Sequence, residues 1–134
     1  MIFVYNVNMK ENEFFNLKKE LTPSFTEIQN EDATKFVCIL GEEEVGHISI
    51  TATENNTYKI GGLFVAPAKR GSGISSRLVK FVNDFLERNK ALGVLVNTIQ
   101  GDAAKVYENN GWVKKDFKSQ GAYGAYEYIY DARK

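Results

Sequence analysis

The chain has 134 residues, 43% hydrophobic and 25% charged, with 17 Lys plus Arg against 17 Asp plus Glu. That length and composition suit one soluble globular domain, residues 1–134, with roughly two-thirds of its unfolded surface buried. A formal net charge of zero gives no bulk field for nucleic acid or an anionic membrane, and no stretch approaches the roughly 18 apolar residues of a membrane span.

The first strand is expected in IFVYNV, Ile2 to Val7. The opening stretch has no charged lead, so it does not read as a signal peptide, and a cytoplasmic setting is expected. Asn8 with Glu11 resembles a capping box, and Phe14, Leu17 and Leu21 repeat at helical spacing until Pro23 closes the helix. Ser24 and Glu27 form a second box-like pair, with Phe25 and Ile28 as an apolar side, which predicts a short second helix. Three strands follow, Lys35 to Leu40, Val45 to Thr53 and Tyr58 to Val65. Short turns join them, so they are expected to be antiparallel. In the middle strand Ile48, Ile50 and Ala52 share one face, while His47, Ser49, Thr51 and Thr53 share the other. The only cysteine, Cys38, excludes an internal disulfide and reads as a small buried hydrophobe.

A long helix comes next. Ile74, Leu78, Phe81, Val82 and Phe85 form its apolar stripe, and Gly93 is expected to mark its end. Val94 to Ile99 reads as a strand. Asp102 is expected to cap a short helix with Ala103, Val106 and Tyr107 on one side, stopped by Gly111. Tyr126, Tyr128 and Tyr130 alternate in a last strand. The order predicts an α/β domain on a mixed sheet.

The stretch VAPAKRGSGIS, Val65 to Ser75, joins a strand to the long helix through two glycines. A helix N-terminus carries unpaired N–H donors and about half a positive charge, so glycines there leave an open cradle for an anion. The plain alternative is a glycine turn that binds nothing. A Walker-type loop fails, because Ile74 and Ser75 follow Gly73 where Lys and Ser or Thr are needed. A dinucleotide fingerprint fails as well, because Ser76 stands at the third glycine and ALGVLVN offers no acid.

The stretch resembles the acetyl-CoA-binding signature of the GNAT family of N-acetyltransferases. Val65, Pro67, Arg70, Gly73 and Ser75 fall at the matching places, with Ser75 where Gly or Ala is usual. A second block supports it: Gln100, Ala103, Tyr107, Gly111 and Trp112 match at family spacing, with Gln100 for the usual Asn and Trp112 for the usual Phe. The resemblance is strong from about Tyr58 to Trp112. It implies an α+β fold with a mixed, mostly antiparallel sheet of six to seven strands and about four helices. It also implies transfer of an acetyl group from the cosubstrate acetyl-CoA to a primary amine, by direct attack and without a metal.

The resemblance assigns cofactor-binding roles to Phe64, Val65, Arg70, Gly71, Ser72, Gly73, Ile74, Ser75 and Gln100. The diphosphate is expected on the backbone N–H groups of Gly71 to Ser75 with Arg70 nearby. The pantetheine arm is expected along Phe64 and Val65, where the strand splays from the next one, and the Val65 N–H is expected to donate to the thioester carbonyl. Tyr107 matches the residue that protonates the departing thiolate in many relatives; the alternative is a plain core aromatic. Many relatives carry a Glu near the place held here by Gly61 and Gly62, so the proton acceptor is open. Histidine is the side chain suited to proton transfer near neutral pH, so His47 is a candidate, against the plain reading of a solvated strand histidine. The acceptor, a small-molecule or peptide amine, is not legible. Many relatives pair through their last strands, which leaves monomer and homodimer both open. A catalytically weak CoA-binding or regulatory module is the alternative function.

Overall fold

The computed structural model describes residues 22–98, 101–115, 118–120 and 123–133. The expected strand at Ile2 to Val7 and the helix through Phe14 and Leu17 lie outside the described residues. Among the described residues four strands come first: β1 (Ser24–Asn30), β2 (Ala33–Leu40), β3 (Glu43–Ala52) and β4 (Thr57–Val65). A 3-10 turn at Pro67–Lys69 leads into helix α1 (Ile74–Asn89). Then come β5 (Leu92–Thr98), α2 (Gly101–Asn109), β6 (Val113–Lys114), β7 (Lys118–Gln120) and β8 (Tyr123–Asp131). The eight strands form one sheet in the order β1-β2-β3-β4-β5-β8-β6, with β7 paired to β8. Among the described residues only the β4–β5 pairing is parallel. The mixed, mostly antiparallel sheet is therefore as expected. Beyond the expected set are the short strands β6 and β7, of two and three residues.

The predicted short helix at Ser24 to Ile28 is a correction: this segment is strand β1. It pairs with β2 from Ser24↔Ile39 to Asn30↔Ala33. Glu31, at φ 52, turns the chain between them. The capping-box spacing is outweighed by period-two packing: the Phe25 ring packs on Phe81 with centroids 5.0 Å apart and Glu27 reaches Arg88 at 3.2 Å. Among the described residues two α-helices remain of the four expected.

Two helix boundaries also move. Lys90, left-handed at φ 49, ends α1 rather than Gly93. Gly93 lies inside β5, where a Cβ would meet Leu86 Cδ1 at 2.6 Å and Trp112 Cη2 at 2.7 Å. Helix α2 starts at Gly101, so Asp102 lies in its first turn rather than at its cap.

Helix α1 lays Ile74, Leu78, Val79, Val82, Phe85 and Leu86 against Phe36, Ile48, Ile50 and Ile60 on one face of the sheet. Gly46 lets the helix come close, since a Cβ there would stand 3.1 Å from Ile74 Cγ2. On β3, Ile48 and Ile50 are fully buried on that face, and His47 and Ser49 are part-exposed on the other. Cys38 is buried, as expected.

Candidate active site

The site begins with a fault in the sheet. Leu63 pairs with Ile48 and Ile60 with Ile50, so Gly61 and Gly62 together oppose Ser49. Two residues against one is a β-bulge, which bends and twists its strand. Gly61 suits the crowded position, since a methyl group there would collide with Ser49 Oγ. The parallel pairing of β4 with β5 stops at Lys59↔Val94, just before the bulge. Yet β4 continues to Val65 and β5 to Thr98. The two strands are therefore splayed, as the resemblance implies, and the glycine pair explains why.

The splay leaves backbone groups facing an opening. The Ala66 N–H donates to Val45 O at 2.8 Å. Hydrogen bonding alternates along an antiparallel pair, so Phe64 is bonded to its partner His47, and the N–H groups of Leu63 and Val65 turn toward β5. The Val65 carbonyl, on the same side, accepts from Arg70 Nε at 3.0 Å.

The turn after β4 leaves a helix terminus bare. Gly71 and Gly73 adopt φ 84 and φ 87, the left-handed region that glycine enters at no steric cost. A Cβ on either would meet nothing within 4 Å. Gly73 is the N-cap of α1, and no side chain caps the helix. Ser72 Oγ donates to Lys69 O instead. The first helical bond runs from the Arg77 N–H to Gly73 O at 3.1 Å, so the N–H groups before it have no acceptor within the helix. No acidic residue sits in the first turn.

These features line one groove of about 430 Å³. Leu63, Phe64 and Val65 form the β4 wall, and Ala103 and Val106 come from α2. Lys69, Arg70, Gly71, Ile74 and Ser75 close the end. Of the sequence-predicted residues, Phe64, Val65, Arg70, Gly71, Ile74 and Ser75 are thus brought together, while Ser72 and Gly73 complete the loop. Gln100 lies outside the described residues. A larger groove of about 570 Å³ lies between β1 and α1, lined by Phe25, Glu27, Phe81 and Arg88. It has no bare helix terminus, and Glu27 is already paired with Arg88.

Tyr107 is not part of the groove wall. It is 2% exposed and meets Trp112 edge to face at 5.3 Å. Burial pushes its phenol well above the ordinary tyrosine value, so it stays neutral at physiological pH. Sequence reading missed the network behind it. Trp112 Nε1 donates to Asn83 Oδ1 at 2.7 Å, and Asn83 Nδ2 donates to Asn110 O at 2.8 Å. Asn110 Nδ2 reaches Val106 O at 2.7 Å and Ser76 Oγ at 3.2 Å. This ties α2 to the first turn of α1. The signal was an Asn inside an apolar helix stripe.

His47 bonds Glu44 Oε2 through Nδ1 at 2.7 Å, and its ring stands 5.5 Å from that of Phe64. Among the described residues no group of three His, Cys, Asp or Glu is placed to hold a metal ion. No helix among them is long and apolar enough to cross a membrane.

The family model for the acetyltransferase (GNAT) domain matches residues 8–123. No curated protein matches the chain. Among solved structures, the ribosomal-protein-S18-alanine N-acetyltransferase of Escherichia coli aligns with a TM-score of 0.67 at 13% identity, over 92% of this chain and 90% of that one. The IAA acetyltransferase of Bacillus cereus ATCC 14579 aligns at 0.70 with 11% identity, over 82% and 99%. A protein assigned as a streptothricin acetyltransferase of Bacillus anthracis str. Ames, solved in complex with acetyl coenzyme A, aligns at 0.67 with 20% identity, over 78% and 65%. Identities this low speak for a shared fold alone.

Proposed function

The chain belongs to the GNAT family of acetyltransferases, and on that premise we propose that it moves an acetyl group from acetyl-CoA to a primary amine at the opening between β4 and β5. One observation carries the reading. The β4–β5 pairing ends at Lys59↔Val94 while β4 runs on to Val65, and a bare helix terminus follows directly. Open strand donors and an open anion cradle are thus joined end to end.

The residues fit the cosubstrate. A cradle free of side chains at Gly71 and Gly73 suits a diphosphate. Arg70 is anchored through Nε on Val65 O, which leaves its terminal nitrogens for the same anion. The edge N–H groups of Leu63 and Val65 suit amide and carbonyl acceptors of an extended arm. Acetyl-CoA supplies an activated acyl group as a thioester. A backbone N–H aimed at its carbonyl oxygen stabilises the charge that develops there, and losing one such donor in acyl transfer costs about 3 kcal/mol.

Tyr107 is the acid in this reading. A phenol near 10 is already poorer than a thiol near 8.5 by roughly 2 kcal/mol, and burial widens that gap. The phenol therefore acts as a hydrogen-bond donor that strengthens as charge gathers on sulfur. A second reading, a CoA-binding module with weak turnover, draws on two facts: Gly61 and Gly62 carry no carboxylate, and Tyr107 is not in the groove wall. Thioester consumption against an amine panel separates the two. Binding of acetyl-CoA without turnover for any amine favours the module.

A further inference from the structure

Attack on a thioester needs an amine that has lost its proton, and the bulge offers no carboxylate to take it. We propose that His47, held by Glu44, takes that proton from the strand beside the bulge; this rests on the transferase reading above. His47 is the registered partner of Phe64, which lines the groove and is 42% exposed. Strand alternation sends Ile48 and Ile50 into the core and turns His47 and Ser49 to the face away from α1. Ser49 stands opposite the bulge, its hydroxyl in the space a Gly61 side chain would fill. Next to it, among the described residues, a Cβ on Gly62 would meet nothing within 4 Å. An ammonium approaching over Gly62 meets Ser49 and then His47. These two stand two positions apart on one strand face, about 7 Å along it.

The Glu44 contact fixes the chemistry of the ring. Nδ1–H donates to Glu44 Oε2 at 2.7 Å, which leaves Nε2 as the acceptor. Among the described residues, the charged groups around this pair are few. Glu42 lies in the exposed turn ahead of it, and Glu43, also exposed, opens β3. Lys35 of β2 is 3.7 Å from Glu44 Oε1. On β4, Phe64 stands alongside, and Lys59 lies farther off in register with Thr51. At 31% side-chain exposure, His47 can return its proton to water.

The step balances. One proton leaves the ammonium nitrogen for His47 Nε2 and passes to solvent. The amine nitrogen forms the new C–N bond and the C–S bond breaks. The remaining surplus proton on nitrogen is matched by one delivered to sulfur, giving an amide, a thiol and one released proton.

Two measurements test this. His47 is the only histidine in the chain, so its imidazole nitrogen signals are unambiguous by 15N NMR on the protein alone. The neutral ring is expected as the Nδ1–H tautomer, and Glu44→Ala is expected to shift it toward Nε2–H. A dominant Nε2–H tautomer in the unaltered chain overturns the proposal. With the fastest acceptor from an alkylamine panel, His47→Gln is expected to lower kcat about 10²-fold at neutral pH with acetyl-CoA affinity unchanged. The deficit is expected to close as pH rises toward the amine's own pKa. Wild-type turnover in His47→Gln, or a deficit equal at every pH, overturns the proposal alone. Binding of acetyl-CoA with no thioester consumed for any amine overturns the transferase reading and the base with it.

Discussion

Trp112 donates its indole N–H to Asn83 Oδ1 across 2.7 Å, joining the segment after α2 to the middle of α1. Both residues are at most 9% exposed, so neither group has water to fall back on. Trp112→Phe strands the Asn83 oxygen and is expected to cost about 1–3 kcal/mol, the penalty for one unsatisfied buried group. Urea denaturation followed by far-UV circular dichroism measures it. No loss of stability means the bond contributes little.

Helix α1 separates folding from binding. A carboxylate in the first turn of a helix stabilises it by about 0.3–1 kcal/mol, and a carboxylate at the mouth of an anion cradle repels a diphosphate. Ser75→Glu is therefore expected to hold or raise the thermal midpoint while weakening acetyl-CoA affinity at least tenfold. Parallel loss of both means that Ser75 serves folding.

Gly93→Ala tests the corrected boundary of α1. The added methyl would stand 2.6 Å from Leu86 Cδ1 and 2.7 Å from Trp112 Cη2. Overpacking of that kind costs about 1–3 kcal/mol. A glycine serving only as a helix stop would tolerate alanine, and an unchanged urea midpoint would show that.

Tyr130 makes the alkaline limb of stability legible. Its hydroxyl donates to Glu87 Oε2 at 2.6 Å, and this bond, then burial, pushes the phenol up to about 12. The folded value lies above the unfolded value near 10. The stabilisation is thus complete below about pH 10 and is lost as pH rises toward 12. Burial raises Tyr107 with the same sign. Tyr130→Phe is expected to flatten the fall in stability over that window. An unaltered slope means that Tyr130 is not linked to folding.

Tyr107→Phe is expected to lower turnover about 10²-fold while leaving acetyl-CoA affinity in place. Unchanged turnover removes Tyr107 from the chemistry and leaves it a core aromatic against Trp112.

Features set by a segment's own backbone conformation were legible in the sequence, and features set by distant partners were not. The open turn ahead of α1 was legible because Gly71 and Gly73 act through their own backbone conformation. Ser24 and Glu27 mimic a helix start, but the pairing that makes them a strand comes from Ala33–Leu40 and from Phe81 on α1. Gly93 looks like a helix stop, but Leu86 and Trp112 require it. Gly61 and Gly62 registered as a missing Glu and not as a bulge. Their bulge depends on the spacing between Ile48 and Ile50 on the neighbouring strand. Asn83 is one polar residue in an apolar stripe, and its partners lie 27 and 29 positions away.

Titration calorimetry of the unaltered chain with acetyl-CoA tests the cradle most directly. Saturable binding at one site per chain is expected, displaced by CoA. At 100 times the dissociation constant the ligand should add about 2.7 kcal/mol of stability. No heat, no displacement and no shift of the thermal midpoint would contradict the assignment of the Arg70–Ser75 junction to a CoA diphosphate.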